Sequence, residues 1–264
     1  MTRAAEVEFL QWALPRLGLR WAGFRRVRAQ VCRRVRRRLV ALGLDDLAAY
    51  RAYLDAHPEE WDVLDALTPI TISRFYRDRE VFARLEREVV PALAAAALAA
   101  DRGSVRCWSA GCASGEEAYT LALMGGGRFD ILATDIDVTM LDRARTAAYP
   151  ASSLKELPVA RRERGFVRNG ELYVLRPEQR RLVTLRRHDV CTPPPDGRFD
   201  LVLCSNVAFT YLAAERQHAV LAHLATAVHP GDALVVGLHE ALPQSAPEFK
   251  PWPRTRAVFR RTPE

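Results

Sequence analysis

Two lysines, Lys155 and Lys250, are all that this 264-residue chain contributes to its 39 basic residues; the rest are arginine, set against 32 acids for a net charge of +7. A GC-rich genome explains such a bias without any function, so the placement of the arginines matters more than their number. Cysteine is sparse: Cys32, Cys107, Cys112, Cys191 and Cys204 form no C-x-x-C pair and have no histidine at metal spacing, which argues against a zinc site. Their odd number suits reduced, mostly buried thiols in a reducing compartment. No apolar run reaches the ~18 residues that span a bilayer. The N-terminus lacks a signal-peptide pattern, and a cytoplasmic enzyme without an integral membrane segment is expected. The G-x-G-x-x-G fingerprint of dinucleotide sites is also missing. What remains is 49% hydrophobic, enough for one full α/β domain and a small accessory one.

The most informative stretch is Val105-Arg106-Cys107-Trp108-Ser109-Ala110-Gly111-Cys112-Ala113-Ser114-Gly115-Glu116-Glu117-Ala118-Tyr119-Thr120, an apolar strand running through two glycines into a helix start. Gly111 and Gly115 let the backbone turn tightly and approach a ligand, and the helix presents unpaired N–H groups. A second strand, Phe129 to Ala133, ends in Thr134-Asp135-Ile136-Asp137. Asp135 thus falls some 20 positions past the loop, where an acid binds a ribose diol. Glu116 and Glu117 would compete with a phosphate for the positive helix end. S-adenosylmethionine fits better, since it has no phosphate, carries a sulfonium and an ammonium, and offers a ribose diol.

These residues resemble the chemotaxis receptor methyltransferases (CheR type), which esterify glutamate side chains with a methyl group from S-adenosylmethionine. The resemblance covers roughly residues 30 to 260. Ile70-Thr71-Ile72-Ser73-Arg74-Phe75-Tyr76-Arg77-Asp78 is similar to the family's N-x-T-x-F-F-R-D, and the glycine loop to W-S-A-G-C-x-S-G-E-E-x-Y. Ala133-Thr134-Asp135-Ile136-Asp137 forms a third block. Phe199 to Val207 is similar to F-D-x-I-x-C-R-N-V, and Gly237-Leu238-His239-Glu240 to G-H-S-E. Departures from the pattern fall in the pocket: Thr71 and Ser73 stand for asparagine and threonine, Ser205 for arginine, and Thr210 falls where the family has tyrosine. The resemblance implies a Rossmann-like class I methyltransferase fold of the α/β class, with an N-terminal helical domain and a small antiparallel β-subdomain.

The helical domain is expected over residues 1–69 and the methyltransferase domain over 70–264. Arg20, Arg25, Arg26, Arg28, Arg33, Arg34, Arg36, Arg37 and Arg38 crowd one stretch, in which Val27, Val31, Val35 and Leu39 recur every fourth residue. One narrow apolar stripe on a cation-covered helix reads as a solvated face or as a docking surface for an acidic helix, RNA or an anionic membrane. In the resembled family the partner is the acidic methylation helix of a receptor's cytoplasmic domain. Gly43 stops this helix and Asp45-Asp46 starts the next. Thr68-Pro69 breaks the helical pattern before an extended bridge from Ile70 to Asp78, and Pro91 kinks the helix from Arg79 to Ala100. Gly125-Gly126-Gly127 cuts short the helix after the glycine loop. The subdomain is expected at about 160–187, from Glu171–Leu175 and Leu182–Leu185 with an Asn169-Gly170 turn. Strands at 200–205 and 233–238 follow, with Val258-Phe259-Arg260 antiparallel at the end.

A glutamate acceptor is already ionised at neutral pH, so no general base is nominated and proximity dominates. Arg77 pairs with the cofactor carboxylate or orients the acceptor carboxylate. Asp135 takes the ribose, Glu116 or Glu117 the ribose or ammonium, and Asp189-Val190 the adenine. Thr71, Ser73, Gly111, Gly115 and Ser205 complete the cofactor set, while Asn206 and Tyr211 line the transfer site. A nucleic-acid substrate is disfavoured, because Ser205-Asn206-Val207-Ala208 lacks the Pro-Pro-aromatic platform that holds a flipped base. A carboxyl methyltransferase for a small molecule or peptide, and a non-catalytic cofactor sensor, remain as alternatives.

Overall fold

A computed structural model describes residues 2–195, 197–244 and 246–263, which fall into two compact units. The first comprises the chain up to Ile70 together with Thr210–Arg216. Its helices are α1 (Arg3–Arg16), α2 (Trp21–Phe24), α3 (Arg28–Leu42), α4 (Leu47–Ala56) and α5 (Glu60–Leu67). The apolar stripe behaves as the spacing predicts from Val31 onward: Val31, Val35 and Leu39 are buried, whereas Val27 is the half-buried N-cap, and Gly43 closes α3 at φ +69°. Asp46 accepts the Ala49 N–H at 2.8 Å and so caps α4.

Several arginines of α3 turn out to be structural. Arg38 forks onto the buried Glu60 carboxylate at 2.9 and 2.6 Å, Tyr50 donates to the same group at 2.8 Å, and Arg38 holds the Glu60 pKa below the ordinary range. Arg34 donates to the carbonyls of Leu67 and Pro69, and Arg36 pairs with Glu6. Arg33 and Arg37 stay exposed and make no ion pair among the described residues. The return of Thr210–Arg216 to this unit is announced by no sequence signal. Leu19 bridges Leu212, the Arg20 N–H donates to the Tyr211 carbonyl at 2.9 Å, and Gly23 is required because a Cβ there would lie 2.2 Å from the Thr210 oxygen.

The second unit begins with the bridge to Asp78 and with α6 (Arg79–Arg84). Pro91 cannot donate to the turn before it, and the helix widens into a π turn at Leu85–Val89 before resuming as α7 (Val90–Ala99). Then come β1 (Val105–Ala110), α8 (Glu116–Gly125), β2 (Phe129–Asp135), α9 (Val138–Thr146) and β3 (Ala148–Pro150). They are followed by α10 (Val159–Gly165), β4 (Phe166–Asn169), β5 (Leu172–Leu175), α11 (Pro177–Arg180) and β6 (Val183–Arg187). The chain ends through β7 (Phe199–Cys204), α12 (Ala208–Tyr211), α13 (Ala214–Ala227), β8 (Val228–Val236), β9 (Phe249–Pro251) and β10 (Val258–Arg261). Among the described residues no helix is long and apolar enough to cross a membrane.

Seven strands form one sheet in the order β6-β2-β1-β7-β8-β10-β9, parallel except for β10, which runs antiparallel to both β8 and β9. Every residue of β7 is buried, as a central parallel strand covered on both faces requires. The small sheet has the order β3-β5-β4, all antiparallel, with Gly170 at φ +60° turning β4 into β5. It therefore starts earlier than the expected 160–187, at Ala148, and excludes the last expected strand: Val183–Arg187 is the edge of the large sheet, parallel to β2. Alternation marks a half-exposed strand but not its partner, which is why sequence assigned it wrongly. Phe75 seats the bridge, fully buried with its ring edge-on to Tyr149 at 4.8 Å and Phe166 at 5.2 Å; each pair adds ~0.5–1.5 kcal/mol beyond burial.

A buried acid pair lies at the start of β7 and within β8. Arg102 reaches Asp200 at 2.8 Å and Asp232 at 3.6 Å, while Asp200 also accepts the Arg106 N–H at 2.7 Å. One guanidinium serves two carboxylates, and burial beside Asp200 raises the Asp232 pKa to about 7. The folded state then holds a proton that the unfolded chain releases near the ordinary value of 3.8, so stability falls as pH rises from about 4 to about 7. Asp232→Asn removes this titration. Melting curves across that window should be flatter for the variant than for the parent, with the variant the more stable above pH 7.

Candidate active site

The chain steps from β1 outward to β2 and β6 on one side, then returns to β7 and β8 on the other. This reversal opens a crevice beyond the carboxyl ends of β1 and β7, the position where open parallel sheets bind ligands. The Gly111–Gly115 loop lies there. Gly111 and Cys112 both donate their N–H groups to the Thr134 carbonyl at 2.8 Å, bending the loop back over β2. Gly111 sits at φ +77°, and a Cβ would come within 2.6 Å of the Val207 side chain. Gly115, at φ +90°, faces Tyr119 and Ala144 at 2.9 and 3.0 Å, and Ala113 shares the left-handed region at φ +47°. The loop thus stores ~1–2 kcal/mol at Ala113, held by the bonds around it.

Asp135 does much of that holding. One carboxylate oxygen accepts the Ala113 N–H at 2.8 Å and the other the Asp137 N–H at 2.9 Å, so the acid spans the loop and the start of α9. Burial raises its pKa, and the two N–H bonds oppose the shift. The His188 N–H donates to the Asp135 carbonyl at 3.1 Å, tying the end of β6 to the same point.

The two glutamates at the helix start point to different tasks. Glu116 is 3% exposed and accepts the Ser114 hydroxyl at 2.8 Å, while its carbonyl accepts Thr120, whose oxygen in turn takes the Tyr76 N–H at 3.0 Å. Glu117 accepts the Ser109 hydroxyl at 2.8 Å and that of Ser205, so its carboxyl lies between the ends of β1 and β7. Burial raises its pKa to about 7, with the two hydroxyls and the Arg77 charge pulling the other way and Glu240 reinforcing the rise.

Beyond β7, Asn206 adopts φ +60°, which turns its side chain onto Arg77: Arg77 Nη2 donates to Asn206 Oδ1 at 3.0 Å and Nη1 to the Ile72 carbonyl at 2.7 Å. A single Glu240 oxygen accepts the N–H groups of both Asn206 and Gly237, at 2.6 and 2.7 Å. Gly237 leaves room for the Asn206 carboxamide, which a Cβ would meet at 2.7 Å. Asp78 accepts the Leu238 N–H at 3.1 Å and completes the rim.

The structure thus brings together Arg77, Gly111, Gly115, Glu117, Asp135, Ser205 and Asn206. Thr71 and Ser73 are half-buried on the bridge leading to Arg77. Asp189 follows β6 and accepts the Cys191 N–H at 2.9 Å, with Val190 half-buried beside it. Tyr211 belongs to the helical unit, where its ring lies 5.0 Å from Phe24. Sequence reasoning gave no role to Ser109, Asp78 or Glu240. All three lie in the matched blocks, Ser109 in the glycine-loop block, Asp78 at the end of Ile70–Asp78 and Glu240 in Gly237-Leu238-His239-Glu240.

Residues 71–258 match the model of the CheR methyltransferase SAM-binding domain, and residues 27–68 that of the CheR methyltransferase all-alpha domain. The chain belongs to the CheR methyltransferases. The chemotaxis protein methyltransferase of Listeria innocua is 37% identical over 186 residues, 69% of each chain. That of Salmonella typhimurium is 31% identical over 238 residues, 84% of this chain and 79% of the other. The sheet order is that of a class I methyltransferase, and the cofactor of this CheR domain is S-adenosylmethionine. The donor set fits it: a glycine loop with no cation for a phosphate, an acid at the end of β2, a half-buried carboxyl of raised pKa for a cationic group, and a guanidinium for a carboxylate.

Because Glu240 satisfies two backbone N–H groups that lead to Arg77, Glu240→Ala should cost about 2–4 kcal/mol of stability. It should also weaken S-adenosylhomocysteine binding at least ten-fold. Thermal melting and calorimetric titration read the two effects, and an unchanged dissociation constant would show that Asn206 and Arg77 do not depend on it.

Proposed function

We propose that this CheR methyltransferase forms methyl esters on glutamate side chains of a protein, an acidic receptor-like helix in the cytoplasm, leaving S-adenosylhomocysteine as product. The observation that carries this reading is the Arg77–Asn206 pair at the end of β7, in a chain whose relatives are named chemotaxis protein methyltransferases. When bound, S-adenosylmethionine supplies an electrophilic methyl group on its sulfonium. Asp135 holds the ribose diol, Glu117 the ammonium, and Asp189 and Val190 the adenine edge, with Thr71, Ser73, Gly111, Gly115 and Ser205 around them. Glu116 anchors the start of α8 rather than meeting the ligand. Arg77 grips a carboxylate, the cofactor's or the acceptor's, and Asn206 fixes its orientation.

An acceptor glutamate of ordinary pKa is ionised at neutral pH, so its oxygen attacks without losing a proton and no base is needed. Alignment of nucleophile and methyl group then supplies most of the acceleration. The exposed Arg33 and Arg37 on α3 attract an acidic helix and raise its encounter rate.

With tritiated methyl donor and a receptor cytoplasmic fragment, the label should transfer to the fragment and leave as volatile methanol in mild alkali. Arg33→Glu combined with Arg37→Glu should raise KM for the fragment by roughly ten-fold and leave S-adenosylhomocysteine affinity unchanged. Alkali-stable label would overturn ester formation, and transfer to small carboxylic acids but not to the fragment would overturn the protein acceptor.

A further inference from the structure

Away from the glycine loop, the second unit holds a cavity of about 820 Å³ between α6 with its π turn and the segment joining β9 to β10. Arg79, Arg84, Arg87, Arg254 and Arg256 line it, with the buried Trp252 in its wall and Glu80 as its one lining acid. Two of these cations are engaged: Arg84 pairs with Glu88 at 2.7 Å, and Arg87 donates to the Ala83 carbonyl. Arg79, Arg254 and Arg256 make no ion pair among the described residues. Gathering guanidinium groups around one hollow costs electrostatic free energy that an anion would recover.

The backbone presents these cations at a further cost. The Trp252 N–H donates to the Val258 carbonyl at 2.8 Å and the Thr255 N–H to the Trp252 carbonyl at 3.2 Å, closing a tight turn with Arg254 at φ +58°. A left-handed arginine costs ~1–2 kcal/mol relative to glycine, a cost without a packing return for an exposed side chain. The fold keeps arginine there. Planar guanidiniums from two elements suit the several oxygens of a polyphosphate, which they bind in pairs.

We propose that this cavity is a second ligand site, for a small polyphosphate anion, either inorganic or the phosphate end of a nucleotide. It touches the cofactor site through Leu238, which lines the cavity and whose N–H is held by Asp78, the neighbour of Arg77.

The test uses the full chain saturated with S-adenosylhomocysteine, so that adenine cannot enter the cofactor site. Calorimetric titrations with pyrophosphate and with ATP are run at matched ionic strength and repeated at higher salt. One ion should bind per chain, with affinity falling steeply as salt rises. Equal affinities would mean that only the phosphates are read, and tighter ATP binding that the nucleoside is read too; both support the site. Arg254→Ser combined with Arg256→Ser should weaken binding at least ten-fold and leave S-adenosylhomocysteine affinity unchanged. Arg254→Gly, relaxed at that φ, should weaken binding while keeping or raising the melting temperature. No binding by the parent, equal binding by the variants, or tighter binding of a glutamate-rich peptide that displaces pyrophosphate would overturn the assignment.

Discussion

Backbone N–H groups stranded at the ends of parallel strands must find acceptors, and in this protein carboxylates supply them. Asp135 takes those of Ala113 and Asp137, Glu240 those of Asn206 and Gly237, and Asp78 that of Leu238. A buried N–H left without a partner, such as that of Gly237, costs about 1–3 kcal/mol. The same bonds set the active-site geometry, because the residues they fix carry or adjoin the groups that face the crevice. Stability and function therefore share their polar contacts here, and the left-handed residues Ala113 and Asn206 are affordable only within them.

The electrostatics of the crevice follow from one departure. Where the resembled pattern has arginine beside the asparagine, this chain has Ser205, whose hydroxyl bonds to Glu117. The two hydroxyls and the Arg77 charge do not offset burial, and the Glu117 pKa reaches about 7. A half-buried acid of raised pKa suits a cationic ligand, which would supply the missing positive charge. The Arg77 charge opposes the rise, while its guanidinium donates to Ile72 and Asn206.

Much of this was legible in the sequence for physical reasons. Glycines at positive φ, an acid ending a buried strand and a four-residue apolar stripe each have few alternative explanations, and Gly111, Gly115, Asp135 and Val31–Val35–Leu39 lie where their chemistry placed them. Partnership was less legible. The half-exposed Val183–Arg187 alternates equally well for either sheet, and nothing local tells that it pairs with β2. Likewise the arginines of α3 look alike in sequence, yet Arg34, Arg36 and Arg38 are engaged within the helical unit by residues distant in the chain. Glu240 lies in a motif that assigns it no role, because its task, accepting two N–H groups from just beyond separate strands, exists only once β7 and β8 lie side by side.

The most direct test of the central claim, that the crevice at the ends of β1 and β7 is an adenosyl cofactor site, is calorimetric titration of the purified protein with S-adenosylmethionine and S-adenosylhomocysteine, with NAD as control. Micromolar binding of both adenosyl ligands at one site per chain, and no heat with NAD, is the expected result. Binding of NAD, or of none of the three, would contradict the account.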